Sequence, residues 1–98
     1  MGAIRYEWDE TERVENRRKH RVDFEAILRF DWSMSIARPD RRVGYGEERI
    51  LAFAPIDGRL HAAVYTIRGD ARRISPRKAN RREQAEYAAA VLARLAGG

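Results

Sequence analysis

Residues 49–75 read RILAFAPIDGRLHAAVYTIRGDARRIS, and this stretch decides the fold. Arg49–Ala54 reads as a strand. Asp57-Gly58 then gives the strongest local hairpin signal in the chain, because a two-residue turn that follows strand twist needs positive φ at both central positions. Leu60–Ile67 reads as the returning strand, Gly69-Asp70 as a second turn and Ala71–Ser75 as a third strand. Val43–Gly46 adds a possible leading strand. Successive strands joined by short links make an antiparallel meander. Pro76 has no N–H for a ladder, so the third strand ends there or lies at an edge.

Working outward, Ala3–Glu7 reads as a short strand. Asp9 is an N-cap with Glu12 three residues on, close to a capping box, and Trp8 anchors the helix start. Glu10–Lys19 forms the first helix, with Val14 as its main inward residue. Val22 and Asp23 open a second helix, in which Phe24, Ile27 and Leu28 make an apolar stripe. Trp32–Asp40 reads as irregular, with Pro39 stopping regular pairing. From Lys78 onward the chain is helical. Asn80 and Glu83 make a capping box, Ala85, Ala88, Val91, Leu92 and Leu95 an apolar face, and Gly97 a stop. The expected fold is α+β, with two N-terminal helices and one C-terminal helix packed on one face of an antiparallel meander.

The 98 residues fit one domain over 1–98 and exclude folds of several hundred residues. Charged residues make up 36 % of the chain and the net charge is +5. Only Lys19 and Lys78 of the 20 cations are lysines. Arginine offers a planar fork suited to phosphate and carboxylate. There is no cysteine, which excludes disulfides and a thiol nucleophile. His20 and His61 alone give no metal-ligand spacing, so neither metal nor cofactor is expected. No apolar run has the length of a signal peptide or a membrane span, which points to a cytoplasmic protein.

Two cationic concentrations stand out. Arg17-Arg18-Lys19-His20-Arg21 ends the first helix, where the macrodipole favours cations. It also offers an electropositive lip around an imidazole, the side chain that titrates nearest neutrality. The segment Arg68–Glu83 holds seven cations against Asp70 and Glu83, a net +5 that equals the charge of the whole chain. Strand alternation would put Arg73, Ser75 and Arg77 on one side and Arg72 and Ile74 on the other. A following helix start near Lys78 completes a plausible phosphate cradle. Trp8, Phe24, Phe30, Phe53 and Tyr65 read as core. Tyr6, Tyr45 and Tyr87 are available to stack a base. His61 has no acidic neighbour and reads as structural.

The motifs together resemble BrnT-type toxins. Tyr6-Glu7-Trp8-Asp9-Glu10, Asn16-Arg17-Arg18-Lys19-His20 and Phe24-Glu25-Ala26 match that family's opening W-D-E, N-x-x-K-H-G-V and F-E-x-A. Glu48-Arg49, Asp57-Gly58-Arg59, Val64-Tyr65-Thr66, Arg68-Gly69, the run Arg72–Ala79, Glu83 and Tyr87 continue the likeness through the family's R-I-I-S-A-R-K-A motif. Three positions depart from it: Arg21 stands where the family has Gly, Arg73 where it has an apolar residue, and Pro76 where it has a small one.

The resemblance implies a RelE-like fold and the toxin of a type II toxin–antitoxin pair, a ribonuclease that halts translation. Its implied partner is a BrnA-type antitoxin with a ribbon–helix–helix region, through which alone it would reach operator DNA. The residues carried over are His20, Arg72, Arg77 and Glu83 as catalytic groups, and Lys19, Arg73, Ser75 and Lys78 as RNA contacts. In metal-independent cleavage a base frees the 2′-hydroxyl, and cations stabilise the charge that builds on phosphorus. His20, or else Glu83, is the acid–base group; Arg77 and Arg72 are clamps. Composition alone also fits a non-catalytic nucleic-acid-binding module, whose affinity would fall steeply with salt, or a domain that meets an acidic protein partner.

Overall fold

The computed structural model describes residues 4–40 and 49–97, so the possible strand Val43–Gly46 and the stacking candidate Tyr45 lie outside it. Strand β1 (Arg5–Glu7) leads into helix α1 (Glu10–His20). A 3₁₀ segment (Phe24–Arg29) and a short 3₁₀ turn (Trp32–Met34) follow. Strands β2 (Ile36–Pro39), β3 (Ile50–Ile56), β4 (Arg59–Arg68) and β5 (Ala71–Lys78) precede helix α2 (Arg81–Ala96). The five strands form one sheet in the order β1-β5-β4-β3-β2. The meander β2 to β5 is antiparallel, but β1 pairs parallel with β5, so the sheet is mixed.

The hairpin forms where the sequence predicts it. Asp57 and Gly58 take φ of 50° and 79°, the pair a tight strand-to-strand turn requires. Trp32–Asp40, expected to be irregular, instead contains β2. Pro39 sits there on an edge strand, where its missing N–H breaks no inner ladder. Pro76 lies within β5, opposite Ala63 of β4. Its carbonyl turns to the other side and accepts a bond from Asn16 Nδ2 at 2.7 Å. In an extended strand a residue's N and C=O point the same way, so the missing N–H also faces away from β4. β1 pairs only as far as Arg73, so β5 is an edge at this point.

The second predicted helix is a six-residue 3₁₀ segment capped by Asp23, whose side chain accepts from the Glu25 amide. At three residues per turn, Phe24, Ile27 and Phe30 align, and all three are buried. Leu28, placed inward by a 3.6-residue period, turns to solvent and is 71 % exposed.

The sheet buries apolar side chains on both faces, so the helices do not share one face as the sequence predicts. The larger core sets Ala52, Ala54, Ala63, Tyr65 and Ile74 against the 3₁₀ segment, Trp8 and Trp32. The alternate residues Leu51, Phe53, Ala62 and Val64 pack on the other face with Tyr87 of α2. Trp32 is half-buried and packs against the larger core. It lies edge-on to Phe30 and Tyr65, stacks on Tyr6, and donates to the Tyr6 hydroxyl at 2.5 Å. Tyr6 and Tyr87 thus both have partners, since the Tyr87 hydroxyl donates to the Met34 carbonyl.

Helix α1 buries no residue, and Val14, expected inward, is 52 % exposed. Polar contacts hold it instead. Arg13 forms a two-point bridge to Asp23 at 2.9 and 3.1 Å, and Asn16 bonds both the Val22 and Pro76 carbonyls. The Arg13 hydrogen bond, aided by the Glu25 amide, draws the Asp23 carboxyl down to about 2. Burial lowers the pKa of His61, a ring only 6 % exposed. Its Nδ1 lies 2.7 Å from the Arg59 carbonyl and so carries the proton of the neutral ring.

The helix ends on Arg21, at φ 58° and ψ 31° in the left-handed region, with its amide bonded to the Arg17 carbonyl. This is the turn a glycine makes without strain, and Arg21 keeps it at an energetic cost. Arg21→Gly should therefore stabilise the fold by about 1 kcal/mol, since a non-glycine residue pays roughly 1–2 kcal/mol there and glycine returns part of that as chain entropy. For a domain of this size that is a rise of about 4–8 °C in Tm, measurable by calorimetry; an unchanged or lower Tm would contradict it.

Acid should unfold the protein in two steps. Below a His61 unfolded pKa near 6.5 the unfolded chain binds a proton that the folded ring resists, so stability is complete above that pH and falls beneath it. The Asp23 contribution is present above 3.8 and is lost as pH falls towards about 2. In a Tm series against pH, His61→Gln should remove the upper step and keep the lower one.

Candidate functional site

Strand alternation sorts the late cations as the sequence predicts. Ser75 pairs with Val64, Arg73 with Thr66 and Arg77 with Ala62, all on the face that carries Leu51 and Phe53. Arg72 and Ile74 fall on the opposite, aromatic face. The Arg72 guanidinium lies 4.4 Å from the Trp32 ring centre and 4.9 Å from that of Tyr65. Arg72 is thereby taken up in roofing the core.

A cleft of about 540 Å³ opens between α1 and strands β4 and β5, where it takes in Arg73 and Ser75 and also reaches Tyr65 and Ile74. One wall is the sheet, with Arg73, Ser75, Val64 and Thr66, and with Arg49 and Arg68 towards one end. The other wall is α1, through Glu12, Glu15, Asn16, Lys19 and His20. The spacing of 12, 16 and 19 is one helical stripe, and the Asn16 bond to Pro76 brings that stripe against β5.

Of the eight site residues predicted from sequence, the cleft gathers four: Lys19, His20, Arg73 and Ser75. Arg72 is on the far face. Lys78 is exposed at the end of β5 and does not line the cleft. Arg77 follows Ser75 on the cleft's face, but its guanidinium turns to the start of α2. There it donates to both oxygens of Glu83 at 2.7 and 2.8 Å. This bond raises the Arg77 pKa against the effect of burial. Glu83 also accepts from the Asn80 amide at 2.9 Å, while Asn80 Oδ1 accepts from the Glu83 amide at 2.8 Å, which completes the predicted capping box. With its oxygens committed to three donors and its side chain 7 % exposed, Glu83 is built to hold Arg77 and cap α2, a poor arrangement for a proton acceptor.

Two titratable side chains at the cleft, His20 and Glu12, are exposed and carry no ion pair among the described residues; of these His20 is the imidazole the sequence singles out. It is exposed at the last position of α1, and no hydrogen bond ties its ring among the described residues. Neighbouring charges are graded. Arg73 reaches Asp9 only at 4.0 Å, so its guanidinium keeps donors for a ligand, while Arg49 is engaged within the fold, in part with Asp40 at 4.0 Å. Glu15 is occupied by Arg18 at 3.0 Å, a bond that lowers its pKa. Sequence reasoning missed Arg49, Thr66, Arg68 and Asn16 as site residues. Arg68 lies inside the cationic segment, and Asn16, Arg49 and Thr66 lie inside motifs of the resemblance, so each had a signal; strand pairing and the docking of α1 bring them together.

These features define a small basic α+β protein with a cleft that brings an imidazole and several cations together beside two carboxylates. A family model described as the ribonuclease toxin BrnT of a type II toxin–antitoxin system matches residues 8–83, and the chain belongs to that family. No individually curated protein sequence matches it. The matched segment contains α1, the cleft and Glu83, and stops in the first turn of α2. Toxins of this type act beside an antitoxin partner. No helix among the described residues is long and apolar enough to cross a membrane.

Asn16 fixes the width of the cleft, because one amide group joins α1, the Val22 carbonyl and β5. Asn16→Asp places a carboxylate against two carbonyl oxygens and removes both bonds. It should destabilise the fold by about 1–3 kcal/mol, the usual penalty for unsatisfied buried polar groups. Chemical denaturation would measure this, and a wild-type midpoint would show that α1 is held by other means.

Proposed function

We propose that this toxin cleaves RNA in the cleft between α1 and β5, without a metal, on a RelE-like architecture. The observation that carries the reading is the convergence of Lys19 and His20 with Arg73 and Ser75 on one cleft, from stretches more than fifty residues apart. His20 takes the proton of a 2′-hydroxyl. The freed oxygen attacks the adjacent phosphorus, the bond to the 5′-oxygen breaks, and the leaving oxygen takes a proton from solvent, which the open cleft admits. The products are a 2′,3′-cyclic phosphate and a 5′-hydroxyl. Lys19, Arg73 and Arg49 neutralise the charge that develops on the phosphoryl oxygens, the term of greatest weight in such reactions. Ser75 donates to a phosphoryl oxygen. Arg77, held by Glu83, adds positive potential beside the site, and Lys78 serves the backbone beyond it.

Arg72 then has a structural part, as the cation over Trp32 and Tyr65. The antitoxin is of the ribbon–helix–helix kind, and operator binding belongs to it.

Purified protein with a single-stranded RNA in EDTA tests the assignment. His20→Ala should slow cleavage by about 10²–10⁴-fold, the usual range for loss of a general acid–base group, with Tm unchanged because the ring is exposed. Arg73→Ala should also slow cleavage. Arg72→Ala should lower Tm, each lost cation–π contact being worth about 0.5–1 kcal/mol, and leave cleavage by the folded protein near wild type. Full cleavage by His20→Ala would remove the imidazole from the mechanism. RNA binding with no scission by the wild type would favour a non-catalytic RNA-binding role.

A further inference from the structure

The apolar face of α2 that the sequence assigns to the core points into solvent. At 3.6 residues per turn, Ala85, Ala88, Leu92 and Leu95 recur at steps of three and four and form one stripe. Ala85 and Ala88 are exposed, Leu92 is 66 % and Leu95 73 % exposed. The helix meets the body on its other side, in its first two turns. Glu83 bonds Arg77 there, Glu86 bonds Arg38 at 2.5 Å, and Tyr87 packs on the sheet. Beyond Tyr87 no residue of the helix is buried.

The charges around the stripe state what covers it. Arg81 continues the stripe by one further step of four, and Arg82 flanks it. Neither is ion-paired among the described residues. The only carboxylates of the helix, Glu83 and Glu86, lie on the body side and are engaged by Arg77 and Arg38. A second copy docked symmetrically by the same stripe would bring arginines, alanines and leucines and no acid, so that pairing offers no counter-charge.

We infer that the outer stripe of α2 is the docking surface for an amphipathic helix of the antitoxin, one that sets apolar residues on Leu92 and Leu95 and carboxylates near Arg81 and Arg82. Such helix-in-groove recognition reads anchors spaced by three and four residues. The small Ala85 and Ala88 let the partner backbone approach closely, and the leucines supply the apolar knobs. Charge complementarity at the rim adds speed and selectivity to association. The inference rests on the toxin–antitoxin membership and not on the RNA chemistry.

Binding between the purified full chain and its cognate antitoxin, measured by titration calorimetry without RNA, tests it. Leu92→Glu with Leu95→Glu should weaken affinity by about 100-fold, two central anchors being lost. The helix should survive by circular dichroism, since both side chains are exposed. Arg81→Glu with Arg82→Glu should weaken affinity by about tenfold or more, mainly at low salt. Wild-type affinity in the leucine pair would overturn the proposal. So would a chain that sediments alone as a dimer, broken by the leucine pair while antitoxin affinity holds, because the occupant would then be a second copy. A failure of RNA cleavage leaves this result untouched.

Discussion

The register of β5 against β4 is the constraint on which the site depends. Ser75 faces Val64 and Ile74 faces Tyr65. A slip of one residue would exchange the two faces, sending Arg73 and Ser75 into the aromatic core and Ile74 out of it. Two features oppose that slip. Ile74 is almost fully buried against the larger core, and the Gly69-Asp70 turn, with Gly69 at φ 61°, leaves little slack between the strands. The position of the cationic wall thus follows from burying one isoleucine.

The same register divides a charge run that is continuous in sequence. The seven cations from Arg68 to Arg82 are neighbours along the chain, yet they do different things. Arg72 covers aromatic rings, and Arg77 is locked to Glu83. Arg68 and Arg73 face the cleft, and Arg81 and Arg82 sit on the outside of α2. A count of charge therefore overstates the site, and two-residue alternation corrects much of the error. The alternation sets Arg72 apart from Arg73, Ser75 and Arg77, whereas the family motif, taken as a linear string, puts all of them together.

What was legible in the sequence was local. The Asp57-Gly58 turn, the Asp9 and Asn80 caps and the strands they bound are fixed by neighbours within four residues, and all of them form. The failures are choices between faces and partners. β1 joins β5 in parallel across more than sixty residues, and nothing in Arg5–Glu7 announces that pairing. Val14 and Leu28 were assigned inward by helical period. α1 docks through Asn16 and Arg13 rather than through an apolar stripe, and the Phe24–Arg29 turn is too short and too tight to keep a 3.6-residue period. The convergence of His20 with Arg73 could not be read from spacing, because a single side-chain amide, that of Asn16, brings α1 to β5.

Helix α2 sets two such choices side by side. Its period is regular and its caps are sound, so its existence was secure; only its orientation was open. The first turn decides it. Glu83 is held between the Asn80 cap and Arg77, and Tyr87 lies on the same side one turn later, so these two contacts set the rotation of everything that follows. Ala85, Ala88, Leu92 and Leu95 then face outward. An apolar stripe is normally stabilised by burial, and nothing among the described residues buries this one. The residue that turns the stripe outward, Glu83, is also the one that holds Arg77 beside the cleft. A single rigid helix start therefore joins the outer stripe to the cationic site, and any partner seated on the stripe rests on the element that positions that arginine.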